Sequence, residues 1–417
     1  MRLRRLARGR TVAGAFALAA LAAAAGPSVA AGKLEAYDAS LASGLHHAPV
    51  HTYGATVGDF TGNGWDDVLL VRHHETFPGL YENGGGTFAD ITASAFPSGP
   101  DSADYHDCPA ADVDGDGRLD FYCTLGANQG AGAKANELWL QQPDGTFVER
   151  AADYGVTDPF GRGRQATFVD ANGDRRPDLF VGNTQPRTDG RRSANRLFIN
   201  EGGTSFRKVP EFGINRQVSA DATVQAVDFD RDRRVDLLVC GKDGVRLYRN
   251  VAGKRFANVT RKRGVKPGRC RSAWLVKANR GPVLDLVILR PKRFTLQIQR
   301  RGRFEPRPTV SRRVKRAYRL GVGDVNGDEL ADLYLLRAGP LPAVRGGVPT
   351  TDAADRLLVN RNRGRRFPRI PIPQTRLGVG QSVTTIDHDR NGLDDFIVMN
   401  GRSFSKGPIR LIAFRRG

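Results

Sequence analysis

The chain has 417 residues, and 64 lysines and arginines against 44 aspartates and glutamates give it a net charge of +20. Hydrophobic residues make up 40% of the chain, and its length is long for a single domain. The four cysteines are too few for a disulfide-dense miniature fold, and we expect them to pair in an exported protein.

The first 31 residues are predicted to be a secretory signal peptide. The basic stretch "MRLRRLARGR" precedes the apolar run "VAGAFALAALAAAA" and the small residues "SVAA". The apolar run is too short and too rich in alanine to predict a membrane span, and no later segment qualifies. Residues 32–417 are predicted to form one mature domain, located outside the cell or in the periplasm.

An acidic motif with oxygen-bearing side chains at positions 1, 3, 5 and 9 recurs along the chain. In "DVDGDGRLD" these are Asp112, Asp114, Asp116 and Asp120, and glycines at positions 4 and 6 allow the loop to curl. Alternate oxygens then converge on one point, which suits Ca²⁺. The motif argues against an EF-hand, because position 12 is Cys123 and the flanks resemble strands. The alternative is an acidic turn whose aspartates cap their own backbone without metal.

Five further copies carry the same ligand positions. They are Asp59, Thr61, Asn63 and Asp67; Asp170, Asn172, Asp174 and Asp178; Asp228, Asp230, Asp232 and Asp236; Asp324, Asn326, Asp328 and Asp332; and Asp387, Asp389, Asn391 and Asp395. A decayed copy between the fourth and sixth, "KANRGPVLD", keeps Asp285 but has Lys277 at position 1. We expect the Lys277 ammonium to supply there the positive charge that Ca²⁺ supplies elsewhere.

Each acidic loop belongs to a longer repeated unit. An apolar run such as "DLLVCG" follows the loop, and a glycine-rich hairpin such as "LYENGGGTF" follows later. Seven units of four strands predict an all-β fold, a seven-bladed β-propeller with four-stranded antiparallel blades. The last unit ends at its third strand, "IRLIAFRRG", and the N-terminal "KLEAYDASLASGL" reads as a fourth strand. The N-terminal strand is therefore predicted to close the ring.

These units resemble the FG-GAP and VCBS repeats of integrin α heads and bacterial surface proteins. The segments "FADIT", "FVERAADYGV" and "FRKVPEFGI" are similar to the cartilage-acidic-protein-like branch. The resemblance implies Ca²⁺ held by the side chains at positions 1, 3, 5 and 9 and by a main-chain oxygen at position 7, for example that of Arg118. Arg175, Arg233 and Glu329 replace the glycine that is usual at position 6. The geometry of the third, fourth and sixth sites is therefore expected to depart from the family pattern.

The four cysteines allow three pairings. We favour Cys108 with Cys123, which flank one acidic loop, and Cys240 with Cys270, which end neighbouring strands.

Because successive strands alternate in direction, the loops are predicted to lie on two opposite faces of the propeller. Acidic loops and glycine turns share one face, and long loops at 124–136, 183–195 and 337–355 lie on the other, where binding residues would concentrate. Six of the seven histidines occur early, and most are expected on that second face: His46, His47, His51, His73, His74 and His106. They are compatible with a transition-metal or ligand site, or with loop histidines that happen to lie close together.

The fifth unit is strongly basic. From Arg249 to Arg319 there are 23 lysines and arginines against two acids, Asp285 and Glu305. Such a surface favours an anionic polysaccharide, a wall polymer or an anionic membrane surface, with nucleic acid less suitable for an exported protein. The alternative is a solvated basic face without a partner.

The sequence contains no nucleophile elbow, no zinc-protease motif and no phosphate-binding loop. It therefore favours a secreted, monomeric, calcium-binding propeller that acts as a binding or adhesion module for an anionic polymer, a glycan or a surface protein. One alternative is a lectin or polysaccharide-processing enzyme that uses the face opposite the calcium loops. Another is a purely structural domain of a surface assembly.

Overall fold

The computed structural model describes residues 33–45, 50–73, 77–99, 103–126, 134–184, 194–214, 223–337, 354–361, 363–373, 380–401 and 406–417. The predicted signal peptide, the central parts of the three long loops (127–133, 185–193 and 338–353) and His46, His47 and His74 lie outside these residues. Antiparallel strands dominate the described chain, which has two short helical turns, Thr92–Ala95 and Pro210–Phe212. No helix in these ranges is long and apolar enough to cross a membrane.

The described strands form seven antiparallel sheets of four or five strands, which we number as blades 1 to 7, and one separate two-stranded hairpin. Blade 1 contains Thr52–Gly58, Asp67–Arg72, Gly79–Asn83 and Phe88–Asp90. Blade 2 contains Tyr105–Asp107, Ala110–Ala111, Asp120–Leu125, Glu137–Gln141 and Phe147–Glu149. Blade 3 contains Gly163–Val169, Asp178–Asn183, Arg196–Asn200 and Phe206–Lys208, and blade 4 contains Thr223–Val227, Asp236–Gly241, Gly244–Val251 and Arg255–Asn258.

The remaining blades include the basic unit and the two chain ends. Blade 5 contains Ser272–Val276, Asp285–Arg290, Arg293–Gln297 and Val310–Arg313, with a small hairpin, Gln299–Arg300 and Arg303–Phe304, before its fourth strand. Blade 6 contains Ala317–Gly323, Asp332–Arg337, Arg356–Leu358 and Arg369–Ile370. Blade 7 contains Ser382–Ile386, Asp395–Met399 and Ile409–Arg416, and its fourth strand is Leu34–Asp38.

The seven blades form a closed ring. The first strand of each blade contacts the first strands of both neighbouring blades. In blade 7 the N-terminal strand pairs with the C-terminal strand, with Leu34 opposite Arg416 and Asp38 opposite Ile412. The predicted seven-bladed propeller and its closure by the N-terminal strand are both confirmed.

The core lies between neighbouring blades. The second strand of blade 2, Asp120–Leu125, is buried along its whole length, because each of its faces packs against another layer of side chains. Between blades 3 and 4, Phe180 and Leu197 pack with Leu237 and Val239. Burial on both faces explains why the runs after the acidic loops are apolar throughout rather than alternating. Each fully buried large side chain contributes roughly 1.5–3 kcal/mol.

Both predicted disulfides are present. Cys108 and Cys123 join the first and second strands of blade 2, with their Cα atoms 4.2 Å apart. Cys108 lies where the first strand of blade 2 is interrupted, a break that the sequence did not predict. Cys240 and Cys270 join the second strand of blade 4 to the segment before blade 5, with Cα atoms 5.8 Å apart.

Candidate metal centres

The residues predicted to hold calcium all lie in the described part of the chain. Each acidic loop connects the first strand of its blade to the second, and position 9 is the first residue of that second strand. Because the seven blades repeat one topology around the ring, the loops gather on one face, as predicted.

The second loop brings its carboxylates together. Asp112, Asp114 and Asp120 each present an oxygen, and these oxygens lie within 4.8 Å of one another. The glycines at positions 4 and 6 have φ angles of 83° and 89°, which curl the loop. Burial and the neighbouring charge of Asp116 raise the pKa of Asp114. The guanidinium of Arg118, at position 7 of the same loop, contacts the Asp116 carboxylate. A crowded set of oxygen donors fits a hard cation.

The aspartate at position 9 also has a structural role. Asp120 Oδ1 accepts a 2.9 Å hydrogen bond from the amide of Gln141 on the third strand, and Oδ2 accepts a 2.8 Å bond from the amide of Val113 at position 2. Burial raises the pKa of Asp120 to about 7. The carboxyl therefore ties the loop to the third strand with or without a bound ion.

The same tie exists in all seven blades. Its first bond, from a third-strand amide to Oδ1, recurs at Asp67, Asp178, Asp236, Asp285, Asp332 and Asp395. Sequence reasoning treated position 9 only as a metal ligand and missed this role. The signal was available, because the decayed fifth copy keeps Asp285 although it has lost its other carboxylates.

A ring of side-chain amides links consecutive blades and was also missed. In blades 1 to 6, a side-chain amide near the end of the third strand donates to the position-2 carbonyl of the preceding blade's loop. The residues are Asn83, Gln141, Asn200, Asn250, Gln299 and Asn360. Asn200, for example, donates to Val113 at 2.8 Å, and its Oδ1 accepts a bond from Gly203 in the hairpin turn. The recurrence of Asn or Gln before the glycine turn was the sequence signal. These amides fix the acidic loops against their neighbours.

The departures from glycine at position 6 do not change the loop conformation. Arg175, Arg233 and Glu329 have φ angles of 69°, 66° and 65°, in the left-handed region that the glycines occupy in other loops. A non-glycine residue there costs roughly 1–2 kcal/mol. The third, fourth and sixth loops therefore keep the curl at the expense of local strain.

The first loop contains a buried acceptor that is not used. Asp59 Oδ1 is buried and has no hydrogen-bond partner among the described residues. Its second oxygen accepts a 2.9 Å bond from the position-6 amide. Thr61 donates to Asp67 at 3.1 Å, and the Asn63 amide donates to the third strand. An unmatched buried carboxylate oxygen fits a bound cation.

The seventh loop adds a histidine that the prediction did not include. His388 at position 2 is buried, and its Nδ1 lies against Asp395 Oδ2. His388, Asp389 and Asp395 each present a ligand atom within 4.8 Å of the others. In the sixth loop, the Asn326 amide donates to Asp332 at 3.0 Å, so one acceptor there is already occupied.

The fourth loop differs, because arginines face its carboxylates. Asp228, Asp230 and Asp236 converge as in the second loop. Arg249 from the third strand lies 2.7 Å from Asp230 Oδ2, and Arg263 lies 2.6 Å from the same oxygen. Arg249 also contacts Asp232 at 2.6 Å. Guanidinium groups thus supply positive charge where the prediction placed Ca²⁺.

The fifth loop is organised without Lys277. The Nζ atom of Lys277 lies 2.8 Å from the Glu329 carboxylate of blade 6. The prediction that Lys277 takes the place of a metal within its own loop is therefore wrong. The Asn279 amide donates to Asp285 Oδ2 instead. Pro282 at position 6 fixes φ near −65° and prevents the left-handed turn of the other loops. The fifth loop therefore differs from the other acidic loops in its backbone as well as in its side chains.

Comparison with known proteins identifies the repeat. A family model described as an FG-GAP-like repeat matches residues 51–123, which include the whole of the first and second acidic loops. The chain is a seven-bladed β-propeller that carries an FG-GAP-like repeat at residues 51–123. It is 31% identical to mouse cartilage acidic protein 1 and 30% identical to the human protein, each over 132 residues. These alignments cover 30% of this chain and only 18% of each relative.

Solved structures show the same fold at low sequence identity. A structure titled as the recognition of non-reducing terminal N-acetylglucosamine by an Agrocybe aegerita lectin has a TM-score of 0.50 and 15% identity, and the match covers 88% of this chain and 86% of that one. The structure of BBS1N in complex with ARL6DN has a TM-score of 0.51 and 9% identity, covering 89% and 95%.

Most of the lysines and arginines in the basic sector of the propeller, residues 249–319, are exposed. Among its ion pairs are those of Arg249, Arg263, Lys277 and Arg300. On the outer strand, Arg313 stands directly opposite Arg293. Like charges in such a cross-strand pair repel each other, so a bound anion would relieve a local cost.

The early histidines are only partly brought together. His73 and His106 approach each other with ring centroids 5.3 Å apart. The carboxylate of Asp104 lies between them, and the sequence prediction had not included it.

Proposed function

We propose that this FG-GAP propeller is an exported, calcium-stabilised binding module whose ligand is an anionic polymer or a glycan. The observation that carries the proposal is the convergence of Asp112, Asp114 and Asp120 in the second loop. Three carboxylates at this distance repel one another, and a divalent cation would remove that cost. The unmatched Asp59 Oδ1 supports the same interpretation for the first loop.

The side chains at positions 1, 3, 5 and 9 of the first, second, third, sixth and seventh loops would hold the ions. A main-chain oxygen at position 7, such as that of Arg118, would complete each set. A bound Ca²⁺ would neutralise the carboxylates and hold the loop in its curl. The fourth loop is a weaker candidate, because Arg249 and Arg263 already face Asp230.

Export is supported by the cysteines and by the predicted leader. Both pairs of cysteines form disulfides, which persist in oxidising compartments and are rare in the cytosol. Calcium outside the cell is abundant enough for sites with dissociation constants of about 10⁻⁴ to 10⁻³ M. The intact mass of the protein recovered from the producing cells tests this part, because it reports both removal of residues 1–31 and the absence of free thiols.

Calcium titration tests the metal part of the proposal. Calorimetry on chelator-treated protein should give several sites, and Ca²⁺ at about 100 times the dissociation constant should stabilise the fold by about 2.7 kcal/mol per site. Mg²⁺ is the control ion, because it demands a tighter octahedral geometry. Melting curves that coincide in chelator and in Ca²⁺ would count against calcium.

The ligand class follows from the basic sector. Arg293, Arg312 and Arg313 on the outer edge of blade 5 are exposed and form a compact group with Arg293 opposite Arg313. A variant with all three changed to Gln should elute from dextran sulfate at lower salt than the unchanged protein. The control changes Arg150, Arg176 and Arg207 to Gln, which removes the same charge from blades 2 and 3. Equal shifts in both variants would indicate net charge rather than a specific surface.

The alternative is a lectin or polysaccharide-processing enzyme. The observation that favours it is the shared fold with the Agrocybe aegerita lectin, whose title describes recognition of terminal N-acetylglucosamine. A glycan array read at two salt concentrations separates the cases. Salt-resistant binding to neutral glycans would favour the lectin, and shortened products after incubation would favour the enzyme. Salt-sensitive binding to acidic glycans alone supports the primary proposal.

A further inference from the structure

Two histidines and one aspartate converge between blades 1 and 2. His73 follows the second strand of blade 1, and Asp104 and His106 lie at the start of the first strand of blade 2. Each presents one ligand atom within 4.8 Å of the others. All three are buried, with at most 4% of their surface exposed. This end of the blades is opposite the acidic loops, so the group is separate from the candidate calcium sites.

We propose that His73, Asp104 and His106 form a transition-metal site suited to Zn²⁺. Two imidazole nitrogens and one carboxylate oxygen are donors that Zn²⁺ prefers, whereas Ca²⁺ takes oxygen ligands. Three protein ligands leave a fourth position open in a tetrahedral site. The sequence predicted a histidine group without a carboxylate partner, and Asp104 supplies that partner.

The geometry around His106 distinguishes a metal site from a plain hydrogen-bond network. His106 Nε2 lies 3.1 Å from Asp104 Oδ1, yet it makes no hydrogen bond within the described ranges, and neither does its Nδ1. A buried imidazole normally uses at least one ring nitrogen in a hydrogen bond. A cation bound between His106 Nε2 and Asp104 would give this nitrogen the partner that it lacks.

The surroundings hold the group in place and leave room in front of it. The Tyr53 ring packs against both imidazoles, with centroid distances of 4.5 Å to His73 and 4.1 Å to His106. A Cβ at Gly126 would lie 2.4 Å from His106 Nε2, so a glycine keeps the approach to that nitrogen open. Arg164 adds positive charge near His106. The open metal position would therefore suit a hydroxide or an anionic donor.

Zinc binding to the full chain tests the proposal. Protein stripped with a chelator and then saturated with Ca²⁺ is titrated with Zn²⁺ against a chromophoric competitor, so that the acidic loops are already occupied. One Zn²⁺ per chain is expected. Removing a direct ligand in Asp104→Asn or His106→Asn should weaken binding by more than about tenfold, since the loss of a supporting residue alone costs that much. Co²⁺ in place of Zn²⁺ should show an absorption spectrum typical of four-coordinate nitrogen and oxygen ligands.

Asp355→Asn is the matched control. Asp355 is also a buried aspartate, but it lies in blade 6, where it accepts hydrogen bonds from Tyr334 and from the Arg337 amide, and it belongs to none of the metal sites described above. This variant should keep its Zn²⁺ affinity, and melting in Ca²⁺ checks that each variant is folded. The double variant His73→Asn with His106→Asn should not bind Zn²⁺ at this stoichiometry. The proposal is overturned if the calcium-saturated protein takes up no Zn²⁺, or if the folded double variant binds it as tightly as the unchanged chain.

Discussion

The Nδ2 amide of Asn83 in blade 1 donates a 3.0 Å hydrogen bond to the main-chain carbonyl of His388 in blade 7. This bond joins residues 305 positions apart and belongs to the ring of amides that links consecutive blades. Asn83 is fully buried, and its Oδ1 accepts bonds from the hairpin turn at Gly85 and Gly86. One side chain thus orders its own turn and fixes the junction where the ring closes.

Asn83→Ala should destabilise the fold by about 2 kcal/mol or more, because it leaves the buried His388 carbonyl and two turn amides without their partner. Urea denaturation measures the loss. Glu201→Gln is the control, because the ion pair of Glu201 with Arg207 is exposed and should contribute little. Equal stability of Asn83→Ala and the control would contradict the conclusion that Asn83 stabilises the junction between blades 1 and 7.

Variants at positions 1 and 9 of the second loop should distinguish an effect on calcium binding from an effect on the stability of the fold. Asp112→Asn removes a charged ligand and should lower the calcium stoichiometry by about one, with little effect on stability in chelator. Asp120→Ala also removes the acceptor of the Gln141 and Val113 amides, so it should cost roughly 2–3 kcal/mol even without calcium. Calorimetry and urea denaturation, each in chelator and in Ca²⁺, make the comparison. If both variants are equally stable in chelator, the structural role of position 9 is wrong.

Arg249→Gln should open the fourth loop to calcium. The change removes the guanidinium that contacts both Asp230 and Asp232 and leaves the four carboxylates in place. Like-charge repulsion then favours a cation, so the calcium stoichiometry should rise by about one. Arg255→Gln, an exposed neighbour on the next strand, serves as the control and should leave the stoichiometry unchanged. An unchanged stoichiometry in Arg249→Gln would mean that Arg263 alone keeps the loop closed.

Arg175→Gly should stabilise the third loop by roughly 0.5–1 kcal/mol, because glycine has no Cβ and adopts a φ of 69° without strain. The expected gain is the strain released, less the greater entropy that glycine has in the unfolded chain. Arg176→Gly at the next position, where φ is not left-handed, should be neutral or destabilising. Thermal melting in chelator compares the two variants, and a loss of stability in Arg175→Gly would contradict the strain argument.

Local sequence patterns were sufficient to predict the architecture of the fold. The spacing of the acidic loops and the apolar runs that follow them predicted seven blades, and the unmatched strands at the two ends predicted the closure between Leu34–Asp38 and Ile409–Arg416. The pairing of Cys108 with Cys123 followed from their positions on either side of one loop. Each of these inferences depends on contacts within a repeat or between adjacent repeats.

Contacts between side chains of different strands could not be predicted from the sequence. Arg249 stands 19 residues after Asp230, and nothing in the pattern indicates that its guanidinium turns into the loop. Asp104 was overlooked because it lies outside the acidic motifs, yet it meets His73 from the next blade. Lys277 turns to Glu329, 52 residues away, rather than to its own loop. Side-chain direction decides these contacts, and it depends on packing that a single sequence does not encode locally.

The pairing of Leu34–Asp38 with Ile409–Arg416 imposes an order on folding. The ion pair between Glu35 and Arg415 joins residues 380 positions apart, so a strand made early in synthesis waits for one made at the end. Contacts of such long separation form slowly, because closing the intervening chain carries an entropy cost. Blades 1 to 6 can assemble from neighbouring segments as they emerge, whereas blade 7 cannot. A nascent chain that stops short of residue 409 would therefore present unpaired strand edges at blade 7, which makes truncated products the species most prone to aggregate.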